Sequence, residues 1–278
     1  MAYHHSAVGD EEDTSAGIPR RYAWIVFALT FGLLISDYMS RQVLNAVFPT
    51  LKQEWALSDG QLGLLSGIVA LMVGLLTFPL SLMADRFGRV RSLALMALLW
   101  SLATLGCALA ENYQHMLIAR FMVGVGEAAY GSVGIAVVVS VFPKTMRATL
   151  ASAFMAGGLF GSVLGIALGG AIAAKLGWRW SFASMALFGL ILAALYPLIV
   201  KESRISPQRL NRTRSKTPTA LKNSLRTLYS TRSVIGAYIG SGLQIFVSVT
   251  LLVWMSSYLN RYYAMGEARA GSVAAIML

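Results

Sequence analysis

The chain has one cysteine, Cys107, and three histidines in 278 residues. A lone thiol excludes an intramolecular disulfide and a multi-cysteine metal site. Cys107 stands inside an apolar run, where it reads as a small packing residue. His4 and His5 stand together in the polar first nineteen residues and read as incidental rather than as metal ligands. Charge is equally scarce: only 13% of residues are charged, with 12 acids against 23 bases, while 56% are hydrophobic. With a mean hydropathy of +0.64, the chain carries more apolar surface than a soluble core of this size buries, so lipid is its solvent. No HExxH, CxxC or GxSxG occurs, so the metal-ligand and nucleophile patterns of a membrane enzyme are lacking and no catalytic or metal residues are assigned. The leading segment, with Asp10, Glu11, Glu12 and Asp13, lacks the basic-then-apolar order of a cleaved signal peptide.

What is present is a series of long apolar runs. A bilayer crossing takes about 20 mostly apolar residues, and such runs recur at 22–48, 61–83, 92–110, 116–141, 149–174, 181–200 and 233–258. An eighth is expected to begin near Ala268 and to be cut off at Leu278, so the chain reads as a fragment. The net charge of +11 follows topology rather than nucleic acid. Segments 20–21, 84–91, 143–148 and 201–232 hold sixteen Lys and Arg, whereas the alternating segments 49–60, 111–115, 175–180 and 259–270 hold five. The positive-inside rule then puts the amino terminus and the 201–232 segment in the cytoplasm.

Four parts follow: residues 1–19, a disordered cytoplasmic tail; 20–200, a six-helix transmembrane domain; 201–232, a cytoplasmic linker rich in Arg, Ser, Thr and Pro; and 233–278, the start of a second transmembrane domain. The six spans also read as two three-helix units. VFP closes the first span at 47–49 and the fourth at 141–143, and MADRFGRVRS at 83–92 aligns with IAAKLGWRWS at 172–181. That alignment matches Ala84 with Ala173, Gly88 with Gly177 and Ser92 with Ser181. Three crossings reverse orientation, so the copies form an inverted repeat, a design common in secondary transporters; chance matching is the alternative.

Four ionisable side chains fall inside spans: Asp37 and Arg41 on the first, Arg120 and Glu127 on the fourth. Each costs about 2.5–3.5 kcal/mol at mid-bilayer on insertion scales, so such residues face a protein interior or a water-filled cavity. Counting helical rise puts both acids within about 3 Å of their span midpoints and both bases roughly 9–13 Å further toward the outside. Spacings of four and seven put each acid and its base on one helical face, so both faces can line one cavity. Desolvation favours a protonated acid and a nearby guanidinium favours its carboxylate, so moving the Arg between states loads or releases a proton. The plainer alternative is a set of structural ion pairs joining the first and fourth helices.

Gly157, Gly161, Gly165 and Gly169 repeat every fourth residue on the fifth span and form a groove for close helix approach. Gly124, Gly126, Gly131 and Gly134 on the fourth are less regular and leave room for substrate or helix rocking. In the tight turn ADRFGRVR at 84–91, Asp85 with Arg86, Gly88 and Arg89 suits a cytoplasmic gate, in which a carboxylate caps a helix amino terminus and pairs with Arg. The alternative there is positive-inside charge alone.

The turn DRFGRVR at 85–91 is similar to the signature of the major facilitator superfamily, Gly-x-Leu-Ala-Asp-Arg-x-Gly-Arg-Arg/Lys, with Ser81 at its first glycine. RFMVGVGEA at 120–128 resembles the superfamily's fourth-helix arginine followed by glycines. GSVLGIALGG at 161–170 resembles the antiporter pattern Gly-x-x-x-Gly-Pro-x-x-Gly-Gly, with Ile166 replacing the proline. GVGEAAY at 124–130 with DYMSRQVL at 37–44 looks like the spinster-like lipid and organic-anion transporters. That resemblance makes Arg120 and Glu127 the counterparts of a functional arginine and a protonatable glutamate, and Arg41 that of a first-helix arginine. Ser40 stands where the family more often has Asp, a role Asp37 is placed to take over.

The resemblance implies an all-α membrane protein of the major facilitator fold: an amino-terminal six-helix bundle of two inverted three-helix repeats, plus the start of the second bundle. It further implies a proton-coupled secondary transporter of an anionic or amphipathic organic solute working by alternating access. Its energy source is a proton gradient, without a cofactor. Its partners are a small organic solute and the lipid bilayer, with no nucleic acid, and its setting a bacterial inner membrane as a multi-pass monomer. The alternatives are a proton symporter of sugar acids or other carboxylates, where Arg41 and Arg120 bind the carboxylate, and a non-transporting scaffold or receptor.

Overall fold

The computed structural model describes residues 18–205 and 232–277. Residues 1–17, most of the expected tail, and 206–231, most of the expected linker, lie outside the described residues. Eleven helices are described: α1 Arg20–Ala46, α2 Phe48–Glu54, α3 Asp59–Phe87, α4 Arg89–Ala108, α5 Tyr113–Glu127, α6 Tyr130–Val141, α7 Lys144–Leu176, α8 Trp178–Ile199, α9 Glu202–Ile205, α10 Arg232–Tyr263 and α11 Glu267–Met277. Seven stretches among them are long and apolar enough to cross a membrane: α1, α3, α4, α5 with α6, α7, α8 and α10. They correspond one to one with the seven expected spans. The end where the chain enters α1 is called the near end, and the opposite one the far end.

Local chemistry sets the boundaries. Ser58 caps α3 in a reciprocal box with Gln61, and the Asn112 side chain accepts from the His115 N–H to start α5, each satisfying donors that the first helical turn leaves free. Pro19 and Pro143 precede α1 and α7, where a missing N–H costs nothing. The expected cytoplasmic turn at 84–91 is not a loop: α3 runs on through Phe87, α4 starts at Arg89, and Gly88 alone makes the corner. Its φ of 98°, matched by 93° at Gly177 between α7 and α8, is a conformation that disfavours any other residue. Gly88 donates to the Ala84 carbonyl and Gly177 to the Ala173 carbonyl. The glycines and alanines paired by the sequence alignment therefore make the same corner at opposite ends of the bundle.

Helix α1 packs most extensively on α7, and α4 on α8. A Cβ on Gly157, Gly161, Gly165 or Gly169 would meet, in order, Phe31, Ile35 with Tyr38, Met39 and Val43 of α1. The glycine row is thus a groove filled by the fourth-residue row of the facing helix, as small-residue packing in membranes requires. A Gly165 Cβ would stand 2.8 Å from the Met39 Cα, so the two backbones themselves are in contact.

The core of the bundle is two apolar layers. One, toward the near end, includes Val26, Leu33, Trp100, Tyr130 and Phe154. The other, toward the far end, includes Val43, Phe48, Leu65, Met116 and Phe182. On α1 the first layer stops at Leu34 and the second starts at Met39. Asp37 falls in that seam. A third cluster of Ala46, Ile166, Leu259, Ala270 and Ala274 fastens α10 and α11 to α1 and α7.

Gly165→Ala is expected to lower the thermal stability of the purified protein by about 1–3 kcal/mol, the usual cost of overpacking. Gly74→Ala, where an added Cβ meets nothing within 4 Å, should leave it unchanged in the same unfolding assay.

Candidate functional site

The polarity of the seam comes from ionisable side chains and from the backbone carbonyls that side chains engage. Arg41, on α1, donates through Nη2 to Glu127 Oε2 at 2.7 Å, with the arginine side chain 25% exposed and the glutamate fully buried. Asp37, one turn earlier and also buried, lies within electrostatic reach of both Glu127 and Arg41. Its Oδ1 and Glu127 Oε1 are buried with no hydrogen-bond partner among the described residues. Buried polar atoms are rarely left unpaired, and here two carboxyl oxygens are orphaned beside one ion pair. Serine hydroxyls of Ser36, Ser40 and Ser101 and the Trp100 Nε1 in the same region are orphaned as well.

Arg120 is buried too, but its partners are different. Its Nε donates to the Leu65 carbonyl at 3.3 Å, Nη1 to the Ser40 carbonyl at 3.2 Å and Nη2 to the Arg41 carbonyl at 3.3 Å. One guanidinium therefore ties α5 to α3 and α1 through backbone oxygens, using the planar fork that a lysine lacks. Of the four expected residues, the structure brings Asp37, Arg41 and Glu127 into one cluster. It places Arg120 at the level of the Arg41 backbone, held by carbonyls rather than by a carboxylate. The Arg41 guanidinium thus meets the acids, while the Arg120 guanidinium meets the Ser40 and Arg41 carbonyls.

The span that carries Glu127 is not continuous. α5 ends at Glu127, Ala128 and Ala129 form a turn, and α6 begins at Tyr130. Sequence reading took 116–141 as a single helix and missed the break, because it contains no proline. Gly126 packs so closely on α4 that a Cβ would stand 2.6 Å from the Trp100 nitrogen, and Gly124 packs likewise on Val69 and Met72 of α3. Among the four fourth-helix glycines, only Gly131 has open space beside it.

At the near-end turn, Asp85 pairs with Arg89 across 3.7 Å on the surface, Arg86 is exposed, and Arg89 Nη1 donates to the Ala136 carbonyl. The carboxylate that caps α4 is not Asp85 but Glu202. Its two oxygens accept from the Arg89 and Val90 backbone N–H groups at 2.9 and 2.7 Å. A Cβ on residue 88 would crowd this cap, standing 3.1 Å from the Glu202 carboxyl carbon, which adds to the preference for glycine that the positive φ sets. An acid directly after the sixth span, in a segment otherwise basic, was the available signal. Ile205 is buried beside it, so the first residues of the expected linker are docked on the bundle.

At the far end Asp59 accepts from Arg261 at 2.6 and 3.1 Å and from Lys52 at 2.7 Å. Arg261 belongs to α10, so this ion triad crosses from the first six spans to the seventh. Beside it Trp254 meets Phe48 with ring centroids 5.6 Å apart. Toward the near end, by contrast, the first half of α10, up to Thr250, buries none of its residues.

The model of the Major Facilitator Superfamily matches residues 30–278. The spinster homolog 1 protein of Xenopus laevis is 25% identical over 256 residues, which cover 91% of this chain and 49% of that protein. The chain thus spans about half the length of the curated relatives it matches. Among solved structures, a bacterial homolog of the human lysosomal transporter Spinster, in an inward-facing and unoccupied conformation, superposes with a TM-score of 0.81 at 22% identity. The match covers 93% of this chain and 60% of that one. A D-xylose-proton symporter superposes at 0.70 with 19% identity over 91% of this chain and 64% of the other.

Removing one partner of a buried ion pair costs about 3–5 kcal/mol while the other stays charged. Arg41→Ala is therefore expected to destabilise the protein by about that amount, and Arg41→Ala combined with Glu127→Gln, which leaves no unpaired charge, by much less. Thermal unfolding of both variants and the wild type reads the difference. An equal loss in the single and double variants would contradict an electrostatic origin.

Proposed function

Because the chain belongs to the Major Facilitator Superfamily, a family of membrane transporters and not of enzymes, we propose that it is the amino-terminal part of a proton-coupled transporter of an anionic or amphipathic organic solute. The observation that carries this reading is the Arg41–Glu127 pair with the orphaned Asp37 carboxyl beside it. Arg41 is the one member of the cluster with an exposed edge, so it is the group that a solute anion reaches first. An anion that takes Arg41 strips Glu127 of its counter-charge, and a buried carboxylate without one takes up a proton. Anion and proton binding then reinforce each other, and by linkage the coupling acts equally in both directions. Asp37 enlarges the acid pair, while Arg120, spent on three carbonyls, keeps α1 and α5 in register.

Alternating access supplies the rest. The triad of Asp59, Arg261 and Lys52 holds α10 to the first bundle at the far end, and the near half of α10 stands clear of it. We read this as a closed far-end gate in a transporter open toward the near end, in keeping with the inward-facing state of the bacterial Spinster homolog. The basic bias of the near-end segments makes that side cytoplasmic. A second reading, a sugar-acid symporter, is favoured by the buried polar chain next to Arg41. There Asn45 donates to Gln42 and accepts from Ser66 at 2.9 Å, groups suited to solute hydroxyls.

In proteoliposomes containing the full-length protein, a pH gradient is expected to drive uptake of an organic anion, with glucuronate and a fluorescent fatty acid as the two probes. Glu127→Gln should abolish that uptake; unchanged uptake in this variant would defeat the assignment of Glu127 as the coupling acid, and no uptake even in the wild type would favour the scaffold reading. Asp59→Asn should open the far end. A cysteine at Gly63, behind Trp254, in a Cys107→Ser background, should then react several-fold faster with a water-soluble thiol reagent, and no acceleration would remove the triad from the gate.

A further inference from the structure

Thr77 is on α3, carries no charge and touches none of the four ionisable residues, yet its hydroxyl reaches the break beside Glu127. Thr77 Oγ1 lies 2.6 Å from the Ala128 carbonyl and 2.5 Å from the Val73 carbonyl of its own helix, so its one hydrogen is shared between the two acceptors. Ala128 and Ala129 are both buried, so a carbonyl left without a backbone partner at the break is served by a donor from the protein. The Ala129 carbonyl receives one from Ser132. Tyr130, the first residue of α6, donates from its hydroxyl to the Thr30 carbonyl of α1 and sets its ring edge-on to Trp100 at 4.9 Å. The break is therefore held from α1, α3 and α4 together.

We propose that Thr77 is a positioning residue for Glu127: by holding the Ala128 carbonyl it keeps the span broken one residue beyond the acid, and so keeps the carboxylate aimed at Arg41. Glu127 is on the last turn of α5 and the backbone departs from helix at Ala129, with φ -113° and ψ 2°, so the angle between α5 and α6 sets where that last turn holds the carboxylate. Without the Thr77 donor, the Ala128 carbonyl regains a partner only by joining a continued α5. Because Tyr130 at the start of α6 is tied to Thr30 and Trp100, straightening the span swings the last turn of α5, with Glu127 on it, and lengthens its contact with Arg41. The broken form thus stabilises the ionised acid and the extended form the protonated one, which makes the break the mechanical counterpart of the proton. This rests on the proton-coupling reading above.

The groups that bear on Glu127 electrostatically are Asp37, Tyr38 and Arg41 of α1, Cys107 of α4 and Arg120 of α5. Thr77 is not ionisable, so substituting it changes none of these charges. A change in Glu127 titration in Thr77→Val that Thr77→Ser does not show therefore reports the lost hydrogen bond and not a changed charge.

The test is infrared difference spectroscopy of the full-length protein in lipid. It follows the protonated-carboxyl band that disappears in Glu127→Gln as a function of pH, and it needs no solute. Thr77→Val keeps the shape and removes the donor; Thr77→Ser keeps the donor. The midpoint of the Glu127 band is expected to move up by about one pH unit in Thr77→Val, a roughly tenfold weaker hold on the ionised form, and to stay at the wild-type value in Thr77→Ser. A Thr77→Val protein that unfolds at the wild-type temperature and titrates at the wild-type midpoint overturns the proposal and leaves proton coupling intact. If instead the wild type shows no titrating band that Glu127→Gln removes, the proton-coupling reading falls, and this one with it.

Discussion

A carboxylate buried at the middle of a membrane span must have a counter-charge or a proton, and in this protein the Arg41–Glu127 pair is where that requirement is met. Much of the surrounding structure serves it. The two apolar layers leave a seam at that level, Arg120 fixes the Arg41 backbone from the neighbouring helix, and the span carrying Glu127 breaks immediately after the acid. An inert ion pair buried for stability alone has little advantage, since apolar residues of similar volume serve as well or better. A pair with one exposed edge and an orphaned second acid beside it is instead poised to be exchanged.

The remaining architecture fixes this pair within the first bundle. Backbone contact along the glycine groove makes α1 and α7 one rigid unit, and three helices of the first bundle meet at Arg120. The Gly88 and Gly177 corners repeat the same geometry at opposite ends, yet each corner holds a different glutamate. Glu202 caps α4 at the near end, whereas at the far end Glu54 holds Trp178 at 2.6 Å and Arg179 at 3.2 Å. The shared corner comes from backbone geometry, and the acids that secure it are supplied separately. At the far end, the ion triad on Asp59 is exposed to water and exchangeable, which suits a gate that must open.

Much of this was legible in the sequence because hydropathy, glycine spacing and charge are local properties. Seven spans and the fourth-residue glycine row follow from counting along single helices. The inverted repeat emerged from three aligned small residues, two of which make the corner hydrogen bonds. The break at Ala128 and Ala129 was not legible, because alanine is a strong helix former and the donor that stabilises the turned carbonyl, Thr77, lies 51 residues away. Glu202 was passed over for the same reason: a cap supplied from 113 residues further along leaves no mark near the helix it caps. Arg120 was recognised as buried, but its choice of carbonyls over carboxylates depends on how three helices meet.

The account depends on one exchange, in which a solute anion replaces Glu127 on Arg41 and Glu127 takes a proton. Its most direct measurement is proton uptake from a weakly buffered solution, followed with an indicator dye, as an organic anion is titrated into the full-length protein. The account predicts about one proton taken up per anion bound, and none when Glu127 is glutamine. Saturable anion binding with no accompanying proton uptake in the wild type would contradict it.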